Sequence, residues 1–116
     1  MAIIKYPHVE RNGKVAVIYS SNYGAGWSSW NPRYPKLLFD PNIVQMIEDN
    51  KRELIKPYVE ENYGEGVYIS TKTLQIEWLP VGTRFRIKEY DGAESIIDVD
   101  KELVFVAGMS GEETND

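Results

Sequence analysis

The sequence predicts a small single α+β domain, an antiparallel β-meander with two central helices packed on one face. Three observations predict it. Apolar residues recur at helical spacing between positions 41 and 62, and they alternate with polar ones between 74 and 88. The dipeptides Asn12-Gly13 and Asp91-Gly92 mark tight hairpin turns. With 116 residues, 42% of them hydrophobic, the chain suits one core of ordinary size. The domain is expected over residues 1–109, followed by an acidic, frayed tail at 110–116.

Ile3 and Ile4 suit a short edge strand that ends at Pro7. After the Asn12-Gly13 turn, Lys14 to Ser20 is a buried strand around Val15-Ala16-Val17-Ile18. A long loop, Tyr19 to Asn31, follows. Pro32 to Lys36 is expected to be extended, because proline biases its neighbours away from helix. Asp40 at an N-cap and Pro41 at the first helical position start a helix over Pro41–Glu48, which buries Ile43, Val44 and Ile47. Asn50 with Glu53 has the spacing of a capping box for a second helix, Lys51 to about Asn62. Leu54, Ile55, Tyr58 and Val59 form its apolar stripe. Pro57 predicts a kink or an irregular first half, and Gly64 ends it.

The remainder is strand-like. Val67-Tyr68-Ile69 is a short strand. Leu74, Ile76 and Trp78 alternate with Gln75 and Glu77, and Phe85 and Ile87 with Arg84, Arg86 and Lys88. Pro80-Val81-Gly82 and Asp91-Gly92 are turns. Ile96, Ile97 and Val99, then Leu103 to Val106, complete the meander.

Composition removes several function classes. Lys and Arg number 13 against 18 Asp and Glu, a formal net charge of −5. A bulk electrostatic grip on a nucleic-acid polymer is not expected from such a chain. Without cysteine there is no thiol nucleophile, disulfide or zinc-thiolate centre. His8 is the single histidine, so nucleophilic triads have little to draw on. No metal, cofactor or catalytic residue is assigned. Asp98 and Asp100 could present oxygen to a hard cation, but a strand end turning into solvent explains them as well. Neither a membrane span nor the apolar core of a signal peptide is apparent, which suits a soluble, cytoplasmic protein.

The candidate site is the loop Tyr-Ser-Ser-Asn-Tyr-Gly-Ala-Gly-Trp-Ser-Ser-Trp-Asn, with two Trp, two Tyr, two Gly and four Ser in thirteen residues. Gly24 and Gly26 follow a buried strand, yet position 29 is Ser and Pro32 and Pro35 forbid a following helix, so this is no dinucleotide fingerprint. The Lys-Ser/Thr of a P-loop is absent too. A nest of backbone N–H groups around Gly24–Gly26 remains able to hold an anion. Tyr19, Tyr23, Trp27 and Trp30 offer faces for stacking, or else Trp27 and Trp30 fold back to close one end of the core. Asn22 and Asn31 offer polar edges. Arg84, Arg86 and Lys88 share a strand face, where they meet either Gln75 and Glu77 of a neighbouring strand or an anionic ligand. The segment Glu89 to Ser95 is a polar hairpin tip whose main task is the turn, and Tyr90 and the acids could also form an edge of a binding surface.

Tyr23-Gly24-Ala25-Gly26-Trp27-Ser28-Ser29-Trp30-Asn31, Leu37-Leu38-Phe39-Asp40-Pro41 and Phe85-Arg86-Ile87-Lys88-Glu89-Tyr90-Asp91-Gly92-Ala93-Glu94-Ser95 together resemble a group of small proteins found in phage genomes, a likeness covering most of residues 14–97. That group has no established activity, so the resemblance carries over no functional residue. It implies a phage or prophage origin, where small accessory proteins often counter host defence by masking a host protein or sequestering a signalling nucleotide.

Three functions are therefore weighed. The first is a non-catalytic protein binding a small anionic, nucleotide-like ligand. Trp27 or Trp30 would stack, Gly24, Gly26, Arg84 and Arg86 would hold phosphate, and the pocket could be shared within a homo-oligomer. The second is an interaction module masking a host or virion protein. The third is a carboxylate-dependent hydrolase.

Overall fold

The computed structural model describes residues 5–103 and 105–108. The chain forms an α+β domain with two helices and five antiparallel strands in two sheets. Strand β1 (Glu10–Arg11) pairs with β2 (Lys14–Ser20) through a turn in which Asn12 (φ 53°) and Gly13 (φ 76°) are both left-handed. That backbone matches the right-handed twist of the flanking strands, and Asn-Gly supplies it at little steric cost. β2 pairs along its whole length with β3 (Leu74–Pro80), from Lys14 opposite Pro80 to Ser20 opposite Leu74. β4 (Phe85–Tyr90) and β5 (Ala93–Asp98) form a second hairpin, turned at Asp91 (φ 50°) and Gly92 (φ 90°). The ladder breaks between β3 and β4, so the consecutive antiparallel strands divide into sheets of three and two.

Helix α1 (Pro41–Glu48) starts as expected: the Asp40 side chain accepts from the backbone N–H of Asn42 and Ile43. The capping box at Asn50 does not form. Asn50 instead sits left-handed (φ 57°) behind α1, where its N–H donates to Ile47 and that of Lys51 to Met46. This pair of bonds is a Schellman stop, in which the position after the C-cap needs a positive φ that Asn tolerates. Asn50→Gly should leave stability within about 0.5 kcal/mol of wild type, whereas Asn50→Ala should cost about 1 kcal/mol, measured by urea denaturation. The segment after it opens as a 3₁₀ turn, Arg52–Leu54, and becomes α2 over Ile55–Tyr63, so Pro57 falls in the first helical turn. There its missing N–H is harmless. Gly64 (φ 103°) ends α2.

Three expectations are corrected. Pro35–Leu38 is a 3₁₀ turn, not extended chain. Residues 67–69 belong to no strand, because the Tyr68 N–H is taken by the Asn31 side chain. Leu103, Phe105 and Val106 are exposed and in no strand, and Val99–Lys101 is a 3₁₀ turn. The edge strand expected at Ile3 and Ile4 and the tail at 110–116 lie outside the described residues.

Ala16, Ile18 and Ser20 stand opposite Trp78, Ile76 and Leu74 on one face of the larger sheet. The helices cover that face with Ile43, Val44, Ile55 and Val59, all fully buried, and Trp27 and Leu37 complete the core. Each such aliphatic side chain contributes roughly 1.5–3 kcal/mol of burial. Buried Asp40 also ties α1 to α2, accepting from the hydroxyls of Tyr58 and, at 2.6 Å, Tyr63. Burial, reinforced by the Asp40 carboxylate, raises the Tyr63 phenol well above its ordinary range and keeps it a donor.

Candidate functional site

The aromatic-glycine loop leaves β2 at Ser20 and is closed by the tip of the β4–β5 hairpin. The closing group is Glu94, only 3% exposed. Its Oε1 accepts from the Ser20 N–H at 2.9 Å. Its Oε2 accepts from the N–H groups of Trp27 (2.8 Å) and Ser29 (3.0 Å) and from the Ser29 hydroxyl. Bonds to a carboxylate are stronger than neutral ones, so four of them hold the hairpin firmly against the loop. Beside this clamp the Gly24 N–H donates to the Asp91 carbonyl. Gly92 lies so close that a Cβ there would come within 2.5–3.0 Å of the backbone nitrogens of Gly24, Ala25 and Gly26. The loop thus surrounds an anion, and that anion is the chain's own.

The nine candidate residues separate into groups. Trp27 is fully buried, with its indole N–H donating to the Leu37 carbonyl at 3.1 Å, so it has no ring face open for stacking. Asn31 is 6% exposed and fully engaged. Its amide donates to the carbonyls of Trp27 (2.8 Å) and Tyr68 (2.9 Å), and its oxygen accepts the Tyr68 N–H at 2.7 Å. Gly26 is the floor beneath Trp30, whose indole would collide with any Cβ there. Trp30 packs edge-on against Tyr68, ring centroids 4.7 Å apart, and its N–H donates to Glu89 at 3.2 Å. Asn22, Tyr23 and Gly24 remain exposed.

Arg84 and Arg86 lie at the far end of the hairpin. Arg86 and Tyr90 are four residue steps apart along the strand, about 13 Å at ordinary rise. Their partners are neither Gln75 nor Glu77, since β4 does not adjoin β3. Arg84 pairs with Asp100 at 3.3 Å, and Arg86 grips Glu102 with Nε and Nη2. The Glu102 carboxyl is lowered by that guanidinium. Loop and arginines therefore do not converge on one pocket. Asp98 caps the turn by accepting the Asp100 N–H, and among the described residues no three His, Asp or Glu side chains converge as metal ligands.

What faces solvent at the loop is aromatic. Tyr23 and Tyr90, 71% and 74% exposed, meet edge to face at 6.1 Å. The Tyr68 hydroxyl donates to the Gly24 carbonyl at 2.8 Å and brings its ring beside Trp30. Glu89 ties this surface to the turn, accepting the Gly92 N–H at 2.7 Å as well as the Trp30 indole. The first bond, then the second, holds the Glu89 carboxyl below its usual 4.5. A carboxyl lowered on folding stabilises the folded state fully above its unfolded value and loses that effect as pH falls through the folded one. Acidification below about 4.5 should therefore loosen the hairpin tip, and Glu89→Gln should flatten that part of the pH profile of Trp fluorescence.

Sequence reasoning missed Tyr68, and it placed the acids Glu89 and Glu94 at the edge of a binding surface, not in a clamp on the loop. The acids carried a signal: Glu89 and Glu94 are directly opposite across the hairpin, a like-charge pair that is unfavourable unless each acid has its own donors. No helix among the described residues is long and apolar enough to cross a membrane. Compared with known proteins, the chain matches no family model, no curated protein and no solved structure.

Proposed function

We propose that this is a non-catalytic accessory binding protein that engages a partner protein through the aromatic surface of its loop and hairpin tip. The observation that carries this reading is the Tyr23–Tyr90 pair, more than 70% exposed on a backbone fastened from beneath by Glu94. Exposed aromatics on a rigid scaffold are the side chains that anchor interfaces, because little entropy is lost on docking. The resemblance to phage-encoded proteins supports a role in the host cytoplasm, masking a host or virion protein.

Sequestration of a nucleotide-like anion ranks second. Of the backbone N–H groups that would hold its phosphate, that of Gly24 donates to the Asp91 carbonyl and Gly92 closes over the Gly24–Gly26 backbone, both arginines are paired with acids, and Trp27 is buried. Carboxylate-dependent hydrolysis has less support, since Glu94 and Asp40 are each enclosed by structural donors.

The experiment is affinity capture from host lysate with wild type and a Tyr23→Ala/Tyr90→Ala variant, alongside a thermal-shift panel of linear and cyclic nucleotides. Loss of two interface anchors should weaken capture at least about 30-fold with an unchanged melting temperature. Equal capture by both proteins, or a nucleotide-dependent shift, would refute the surface reading.

A further inference from the structure

A second site lies on the opposite face of the larger sheet and does not depend on the reading above. Val15 and Leu79 stand directly opposite one another there, with Val17 beside them, and together they floor a cleft of about 210 Å³. Three aromatic side chains wall it, and Thr83 lies at its edge. Tyr6 and Phe39 stack with centroids 6.1 Å apart at 17°, and Phe85 meets Phe39 edge-on at 6.1 Å.

Size restricts the occupant. A cavity of roughly 150 Å³ accommodates benzene, whereas drug-sized ligands take roughly 300 Å³ or more. One ring system with a short arm fits, and a nucleotide does not. Charge restricts it further. Lys5 and His8 also line the cleft. His8 donates through Nδ1 to the Tyr6 carbonyl at 2.9 Å, and its Nε2 lies 3.4 Å from Glu10. Lys5 is exposed and has no acidic side chain within ion-pair distance among the described residues. A chain of net charge −5 thus places an uncompensated cation beside an aromatic hollow.

We infer that this cleft binds a small aromatic carboxylate. The ring lies among Phe39, Phe85 and the valine floor, and the carboxylate meets the Lys5 ammonium. Apolar burial supplies most of the affinity, and the exposed ion pair supplies orientation and a smaller share.

The test is an amide NMR titration of the full chain with indole-3-acetate, with indole as the uncharged control. Saturable shifts are expected at Val15, Val17, Leu79 and Thr83. Lys5→Gln, a substitution at an exposed position, should weaken indole-3-acetate about threefold to fivefold and leave indole unchanged. No saturable shift, shifts centred elsewhere, or equal indole-3-acetate affinity in the Lys5→Gln protein would each overturn the assignment. Binding only to a chain lacking residues 1–4 would also overturn it, by making the cleft a seat for the N-terminus.

Discussion

Glu94→Ala should destabilise the domain by about 3–4 kcal/mol, a third or more of the stability of an ordinary domain of this size. The substitution removes the acceptor for three backbone N–H groups and one hydroxyl at a buried residue. Each buried donor left without a partner costs about 1–3 kcal/mol, offset in part by water entering the space vacated. The loss falls on the contact between hairpin and loop, so near-UV dichroism, which senses the surroundings of Trp27 and Trp30, should collapse at a lower urea concentration. Glu94→Gln separates charge from shape. One of its terminal groups must be an NH₂ facing an N–H, and no orientation satisfies both Ser20 on one side and Trp27 with Ser29 on the other. It should therefore cost about 1.5–3 kcal/mol despite near-identical volume. A Gln variant as stable as wild type would show that the carboxylate is not what holds the loop.

Much of the fold was legible because local chemistry and tertiary structure agree. Asp40-Pro41 sets the start of α1, and Asn12-Gly13 and Asp91-Gly92 set both hairpin turns. The alternation in β3 and β4 set which faces are buried. The errors arose where a residue had two competing local roles. Asn50 could cap the next helix or stop the previous one, and the left-handed stop prevails because α1 has carbonyls to satisfy before α2 begins. Tyr68 has strand propensity, but Asn31 takes its N–H and leaves no ladder to join. The candidate site was half legible. Composition marked the loop as rich in donors and aromatic faces, and both properties are present. It could not reveal which donors the fold itself would use. Glu94 is 65 residues from Ser29 in sequence, and nothing local distinguishes a ligand's carboxylate from one delivered by the chain. The directly opposed acids Glu89 and Glu94 are the clue: like charges facing each other on a two-stranded hairpin require two sets of donors, and the loop together with the turn's own Gly92 N–H provides them.

Gly92→Ala should cost about 3–5 kcal/mol, and comparison with Gly13→Ala shows why. Both glycines are left-handed, φ 90° and φ 76°, at the second position of two-residue hairpin turns. Backbone strain alone would make the two substitutions similar, about 1–2 kcal/mol each. Their surroundings differ. A Cβ at Gly13 meets nothing within 4 Å, whereas one at Gly92 enters the backbone of Gly24, Ala25 and Gly26. Backbone cannot rotate aside as a side chain can, so the hairpin tip must withdraw. That withdrawal breaks the Gly24–Asp91 bond, draws Glu89 from Trp30 and lengthens the four bonds to Glu94. Tyr90 would retreat from Tyr23 in the same movement, so a single buried methyl should also dissolve the exposed aromatic pair. Denaturation midpoints for the two variants measure the difference directly. If Gly92→Ala is no worse than Gly13→Ala, the loop and hairpin tip are not in the close contact described. If it is worse and also abolishes partner capture while Gly13→Ala does not, then the internal clamp and the recognition surface are one mechanical unit.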